Sequence, residues 1–160
     1  MTRLAKAMLV VALAGAVPMS SAATGGESPV LGTWALDTSR LPMPLDQRPK
    51  SVQFAFADVG GDKLSTHVDI VYSPGQEVHS VSSTALDGTY AVIDNSPEAD
   101  HISLTRPAPN VLVMALQQNG VLVSTRIYSA LPDGRHMVET VVYPGNDGRI
   151  MRTNYFARVR

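Results

Sequence analysis

Two short spacings hold the side chains best suited to acid–base or metal chemistry. Glu77-x-His79 and His67-x-Asp69 each set a carboxylate and an imidazole two residues apart, which on a β-strand puts both on one face, about 7 Å apart along the chain. Such a pair can orient an imidazole as a base or a metal ligand. Neither comes with a third ligand at a telling spacing, so the plainer reading is a polar strand surface and no metal site is expected. Ser82-Ser83-Thr84 offers hydroxyls without a base at a recognisable spacing. The chain has no Gly-x-Ser-x-Gly, no phosphate-binding glycine loop and no His-Glu-x-x-His, so no catalytic residue and no cofactor is assigned. Arg126, Arg149 and Arg152 would form an anion site if they met on one outer wall; as isolated strand arginines they would be solvated instead.

The elements that must position these groups read as strands. Turn signals recur through the chain at Ser73-Pro74-Gly75-Gln76, Leu86-Asp87-Gly88, Asn119-Gly120, Pro132-Asp133-Gly134 and Asn146-Asp147-Gly148, a rhythm typical of antiparallel all-β domains. Asn-Gly and Asp-Gly tolerate the positive φ angles of tight hairpins. Between the turns, Val52, Phe54 and Phe56 alternate with Gln53, Ala55 and Ala57, and Leu64, Thr66, Val68, Ile70 and Tyr72 alternate with polar neighbours, so each run buries one face. Further strands are expected near residues 30–37, 76–85, 89–93, 100–106, 110–118, 121–130, 136–143 and 149–158, with the proline-rich stretch from Leu41 to Pro49 as an extended connection. About eight to ten short strands close most economically as an up-and-down barrel, which removes exposed edges.

Register then decides what faces inward. A hairpin centred on Asn119-Gly120 sets Leu116 opposite Val123, Met114 opposite Thr125 and Leu112 opposite Ile127. Turns at Asp133-Gly134 and Asp147-Gly148 add Thr140 and Tyr155 to the same face. The resulting candidate lining is Phe54, Phe56, Val68, Ile70, Met114, Thr125, Ile127 and Tyr155, apolar with scattered hydroxyls. If Pro74-Gly75 is a two-residue turn, Tyr72 faces Glu77 and Ile70 faces His79, which adds Glu77 and His79 to the interior. The competing register turns Val78, Ser80, Ser82 and Thr84 inward instead.

Residues 1 to 23 have the layout of a secretory signal peptide. Arg3 and Lys6 precede an apolar run from Ala7 to Val17, and small residues follow up to Ala22 and Ala23, either of which suits cleavage. The run is shorter than the roughly 20 apolar residues of a spanning helix, so an exported, periplasmic or extracellular chain with no integral membrane segment after cleavage is expected. About 137 residues would remain, enough for a single domain over residues 24–160 that buries roughly two-thirds of its unfolded surface. No cysteine is present, which excludes disulfides and thiolate ligands. Removal of Arg3 and Lys6 leaves 11 basic against 14 acidic side chains and moves the net charge from −1 to −3. The charges are scattered, so a nucleic-acid partner is not expected.

The remaining landmark is GTWALDTSR, which holds the only tryptophan of the chain. Together with the aromatic run SVQFAF, the block LDGTYAVIDNSPEADHISLTR, the hairpin QQNGVLVSTR and the final NYFARVR, it resembles the lipocalin and calycin superfamily, and in layout the small exported bacterial proteins of lipocalin-like fold. The resemblance implies that Trp34 closes one end of the barrel under a late-strand arginine, Arg158 or Arg152. It also implies non-enzymatic binding of a small, largely apolar ligand inside the barrel, toward the opposite mouth. The alternative is a structural or interaction module of the cell envelope that uses an outer face around Val111, Val113, Tyr128, Val141 and Tyr143 and holds no ligand.

Overall fold

The computed structural model describes residues 27–145 and 150–159; the signal-like stretch and its cleavage point lie outside them. The strands are β1 (Gly32–Leu36), β2 (Ser51–Gly60), β3 (Lys63–Ser73), β4 (Gln76–Ala85), β5 (Ala91–Val92), β6 (His101–Ala108), β7 (Val111–Gln118), β8 (Val121–Ala130), β9 (His136–Tyr143) and β10 (Ile150–Arg158). They form one antiparallel sheet in the order β4-β3-β2-β1-β10-β9-β8-β7-β6-β5. This is an up-and-down meander whose first strand pairs with its last. The free edges meet where Val81 and Asp94 exchange backbone hydrogen bonds of 3.2 and 3.0 Å, so the barrel is nearly closed.

The meander alternates direction and so gives the barrel two distinct ends. The β2–β3, β4–β5, β6–β7 and β8–β9 connections lie at the end where β1 begins; the β1–β2, β3–β4, β5–β6 and β7–β8 connections lie at the other, the mouth. The β1–β2 connection is not simply extended as its prolines suggest. It makes two single 3-10 turns, Thr38–Arg40 and Leu45–Gln47, and Arg48 pins them by donating to the carbonyls of Met43 (2.8 Å) and Ser39 (2.6 Å).

Two β-bulges decide which side chains enter the interior. Asn119 (φ 53°) and Gly120 (φ 77°) close the expected two-residue turn, and Gln118 pairs with Val121 and Gln117 with Leu122. Leu116 then pairs with Ser124 and not with Val123, because Val123 is an extra residue that the ladder skips. Every later residue of β8 turns over: Ser124, Arg126, Tyr128 and Ala130 alternate inward, while Thr125 and Ile127 face out. Tyr72 is the second skipped residue. The pairs Ser73 with Gln76 and Val71 with Glu77 flank it, so Val78, Ser80, Ser82 and Thr84 point inward and Glu77 and His79 do not.

The core follows from these faces. Phe54 and Phe56 of β2, Tyr128 of β8 and Phe156 of β10 meet across the barrel, with Phe54 5.5 Å from Phe156 and 5.8 Å from Tyr128, and Phe56 5.3 Å from Tyr128. Aromatic pairs at such distances stabilise by about 0.5–1.5 kcal/mol beyond their buried area. Leu64, Ile102, Leu104, Leu112 and Met137 complete the buried packing.

Candidate functional site

The closed end is built around Trp34. Its side chain is fully buried, 0 % exposed, and its indole N–H donates to the Val30 carbonyl at 2.8 Å. The Arg158 guanidinium lies 4.1 Å from the ring centroid and donates to the carbonyls of Leu31 and Pro29 at 2.7 Å each and of Gly134 at 2.8 Å. It therefore ties the segment before β1 and the β8–β9 turn to the tryptophan. Arg152, the other arginine considered, lies instead 5.6 Å from the Tyr143 ring. Gly32 leaves room for this lid: its φ is +113°, and a Cβ there would overlap Arg158 Nη1. Burial of an indole removes roughly 200 Å² from water, on the order of 5 kcal/mol.

Toward the mouth, past the aromatic cluster, lies an apolar cavity of about 150 Å³. Phe54, Val68, Ile70 and Met114 line it, along with Leu36, Val52, Ile93, Leu116 and Phe156. Phe56 stands behind them in the aromatic core. Thr125, Ile127 and Tyr155 lie on the outer face, Tyr155 being 41 % exposed with Arg40 4.6 Å from its ring. Their misplacement has one cause: the bulge at Val123 inverts β8, and the ladder carries the inversion to β9 and β10.

The polar groups that do reach the cavity are Glu98, Arg126, Glu139, Ser80 and Ser96. Arg126 Nη1 donates to Glu139 Oε1 at 3.0 Å, its Nη2 donates to Glu98 Oε2, and its Nε donates to Ser124 Oγ at 3.4 Å. Asn154 Nδ2 donates to the other Glu139 oxygen at 2.6 Å, and Ser124 Oγ to the other Glu98 oxygen at 3.2 Å. All four carboxylate oxygens accept hydrogen bonds, as ionised carboxylates do. Glu139 is 1 % exposed and Arg126 13 %, whereas Glu98, on the β5–β6 connection at the mouth, is 37 % exposed. Burial alone would lower the Arg126 pKa; the Tyr128 oxygen, Glu139 and Glu98 facing it more than reverse this and hold it above its ordinary value. Burial first, and then the Glu139 charge, raise the Tyr128 phenol well above its usual range. Removal of one partner from so buried a pair typically costs about 3–5 kcal/mol.

Register also explains why this cluster is hard to read in the chain. Arg126 is expected on the outer wall with Arg149 and Arg152, but the β8 bulge turns it inside, and Arg149 lies outside the described residues. Glu139 sits on β9 in a run, His136 to Tyr143, whose Met137 and Val141 share its inward face; that apolar company is the only local signal. Glu98 is brought in by a connection with no pattern of its own.

On the outer face His79 takes the carboxylates of both sequence pairs, so Asp69 pairs across the ladder with His79 and not with His67. His79 Nδ1 lies 2.7 Å from Asp69 on the neighbouring strand and its Nε2 3.5 Å from Glu77. The hydrogen bond that His79 makes to the Asp69 carboxylate is the main cause that raises its pKa, opposed by desolvation. Among the described residues no three His, Asp or Glu side chains converge as a metal-ligand set, and no helix is long and apolar enough to cross a membrane. The outer patch considered for a partner does not assemble, because Tyr128 and Val141 are buried inside.

No protein-family model matches this chain, and no curated protein sequence does. Solved structures do. A fatty acid binding protein of Schistosoma mansoni in complex with arachidonic acid superimposes with a TM-score of 0.59 at 13% identity, over 85% of this chain and 100% of that one. Fatty-acid-binding protein 1 of Echinococcus granulosus gives 0.57 at 14% identity, over 82% and 98%. A variant of the fluorescent protein UnaG gives 0.56 at 12%, over 82% and 97%. The fold shared with these structures is a nearly closed, up-and-down antiparallel β-barrel. At these identities the likeness concerns the backbone alone.

Proposed function

We propose that the protein binds a small, largely apolar molecule in the mouth-side cavity, with the polar end of the ligand against Arg126, Glu139 and Glu98, and performs no chemistry on it. The observation that carries this reading is the cavity itself: an apolar chamber inside the barrel with polar groups converging on one wall, the arrangement of small-molecule sites in general. The Schistosoma mansoni neighbour is in complex with arachidonic acid, which supports a ligand role for this architecture. The volume of about 150 Å³ is below the roughly 300–1,000 Å³ of drug-sized sites, so the ligand is compact or enters with outward movement of the mouth segments. Export, with residues 1–23 removed, belongs to the same reading and rests on the charged, apolar and small-residue sequence of that stretch; N-terminal sequencing of the secreted protein should begin at Ala23 or Thr24.

Binding is tested by calorimetric titration with decanol, an uncharged amphiphile, using wild type and Val68→Trp, which fills the chamber. Wild type should bind one equivalent, and the variant should bind at least about tenfold more weakly while keeping the same far-ultraviolet circular dichroism. Equal binding by both proteins, or none by wild type, would sink the proposal.

A further inference from the structure

This inference rests on the reading that the cavity binds an amphiphile and concerns the head group it accepts. Among the described residues, three ionisable side chains line the cavity, Glu98, Arg126 and Glu139. Each carboxylate is engaged through both oxygens, and both share the single guanidinium. The polar wall therefore carries two negative charges against one positive, a formal excess of one negative charge. Arg126 is already claimed: Glu139 holds one terminal nitrogen and Glu98 the other. A ligand carboxylate would be the third anion around one cation, in a setting where limited solvent screens charges poorly.

We propose that this wall selects amphiphiles with a cationic head group, a primary ammonium above all, over those with a carboxylate. An ammonium restores neutrality and supplies three N–H donors to acceptor-only oxygens. A hydroxyl head adds no charge and falls between the two. Glu98 sets the preference, since it comes from the mouth connection and is the more exposed of the two acids, while Glu139 is the buried fixed partner of Arg126 and Asn154.

The test is a calorimetric series of octylamine, octanol and octanoate at neutral pH against the wild-type protein and Glu98→Gln. Gln keeps the size and hydrogen-bonding capacity of the side chain but brings the wall to net zero. In wild type the amine should bind tightest and octanoate weakest, with about tenfold or more between them. In Glu98→Gln the gap should close from both sides, with octanoate gaining and octylamine losing affinity. Octanoate binding wild type as tightly as octylamine overturns the proposal, as does an unchanged ratio in Glu98→Gln. If octanol binds while either of these occurs, only the head-group inference falls; if no member binds, the cavity reading falls and takes this inference with it.

Discussion

Gly32, Trp34 and Arg158 behave as one unit, and the smallest of them is the most restrictive. Gly32→Ala adds a Cβ that meets Arg158 at a φ of +113°, a conformation L-residues resist; we expect about 2 kcal/mol of destabilisation, read from the denaturant midpoint at unchanged slope. One contribution to acid sensitivity is expected at the β8–β9 turn. Asp133 accepts hydrogen bonds from His136, first of all, and from the backbone N–H groups of Arg135 and His136, and these lower its pKa from 3.8 to about 2. A carboxyl depressed in the folded state contributes stability that is complete above its unfolded pKa and is lost as pH falls through the folded value. Urea unfolding of Asp133→Asn should therefore show a weaker decline than wild type between about pH 4 and pH 2, and the difference should be modest because the group is exposed. A variant with the same acid limb as wild type would remove Asp133 as its source.

At the scale of the strand, the bulge at Val123 does what no single side chain does. With Val123 skipped, Arg126 meets Glu139 inside; without any bulge, the Asn119-Gly120 turn would put Arg126 in water and Thr125 and Ile127 in the core. Deletion of Val123 should iron out the bulge, keep Ser124 opposite Leu116, and leave a folded protein that loses about 1 kcal/mol of partly buried packing. Deletion of Ile127 should instead turn Arg126 outward and strand Glu139, at a cost of about 3–5 kcal/mol. Thermal unfolding of the two deletions compares them directly, and equal stability would contradict this account of the register. The two bulges also mark where local pattern stops being informative. Residues 52–56 and 64–70 face as their alternation says, because no skipped residue intervenes in their pairing, whereas Glu77, His79, Thr125, Ile127 and Tyr155 sit beyond a skipped residue or inherit one through the ladder.

For the whole molecule, the two ends of the barrel divide the work: the Trp34 end is closed by packing, and the mouth end keeps the cavity and the Arg126 cluster. A ligand that binds only the folded barrel must raise its stability by mass action, about 2.7 kcal/mol at a hundredfold excess over Kd. Saturating decanol should accordingly raise the melting temperature of wild type and not of Val68→Trp; a shift common to both would point to binding elsewhere. The chain itself determines much of the architecture. Its period-2 alternation, its turn residues and its lone tryptophan after a glycine are local features, and local sterics and hydrophobicity turn them into ten strands, their order as a meander and a buried indole. What lies inside the polar wall was decided only by tertiary structure. Side chains alternate with a period of two, so one skipped residue exchanges the faces of a strand, and nothing in the residues around Val123 or Tyr72 announces the skip. Closure of the barrel favours it, by burying Tyr128 among Phe54, Phe56 and Phe156 and by giving Arg126 the Glu139 and Glu98 carboxylates from a neighbouring strand and a distant connection.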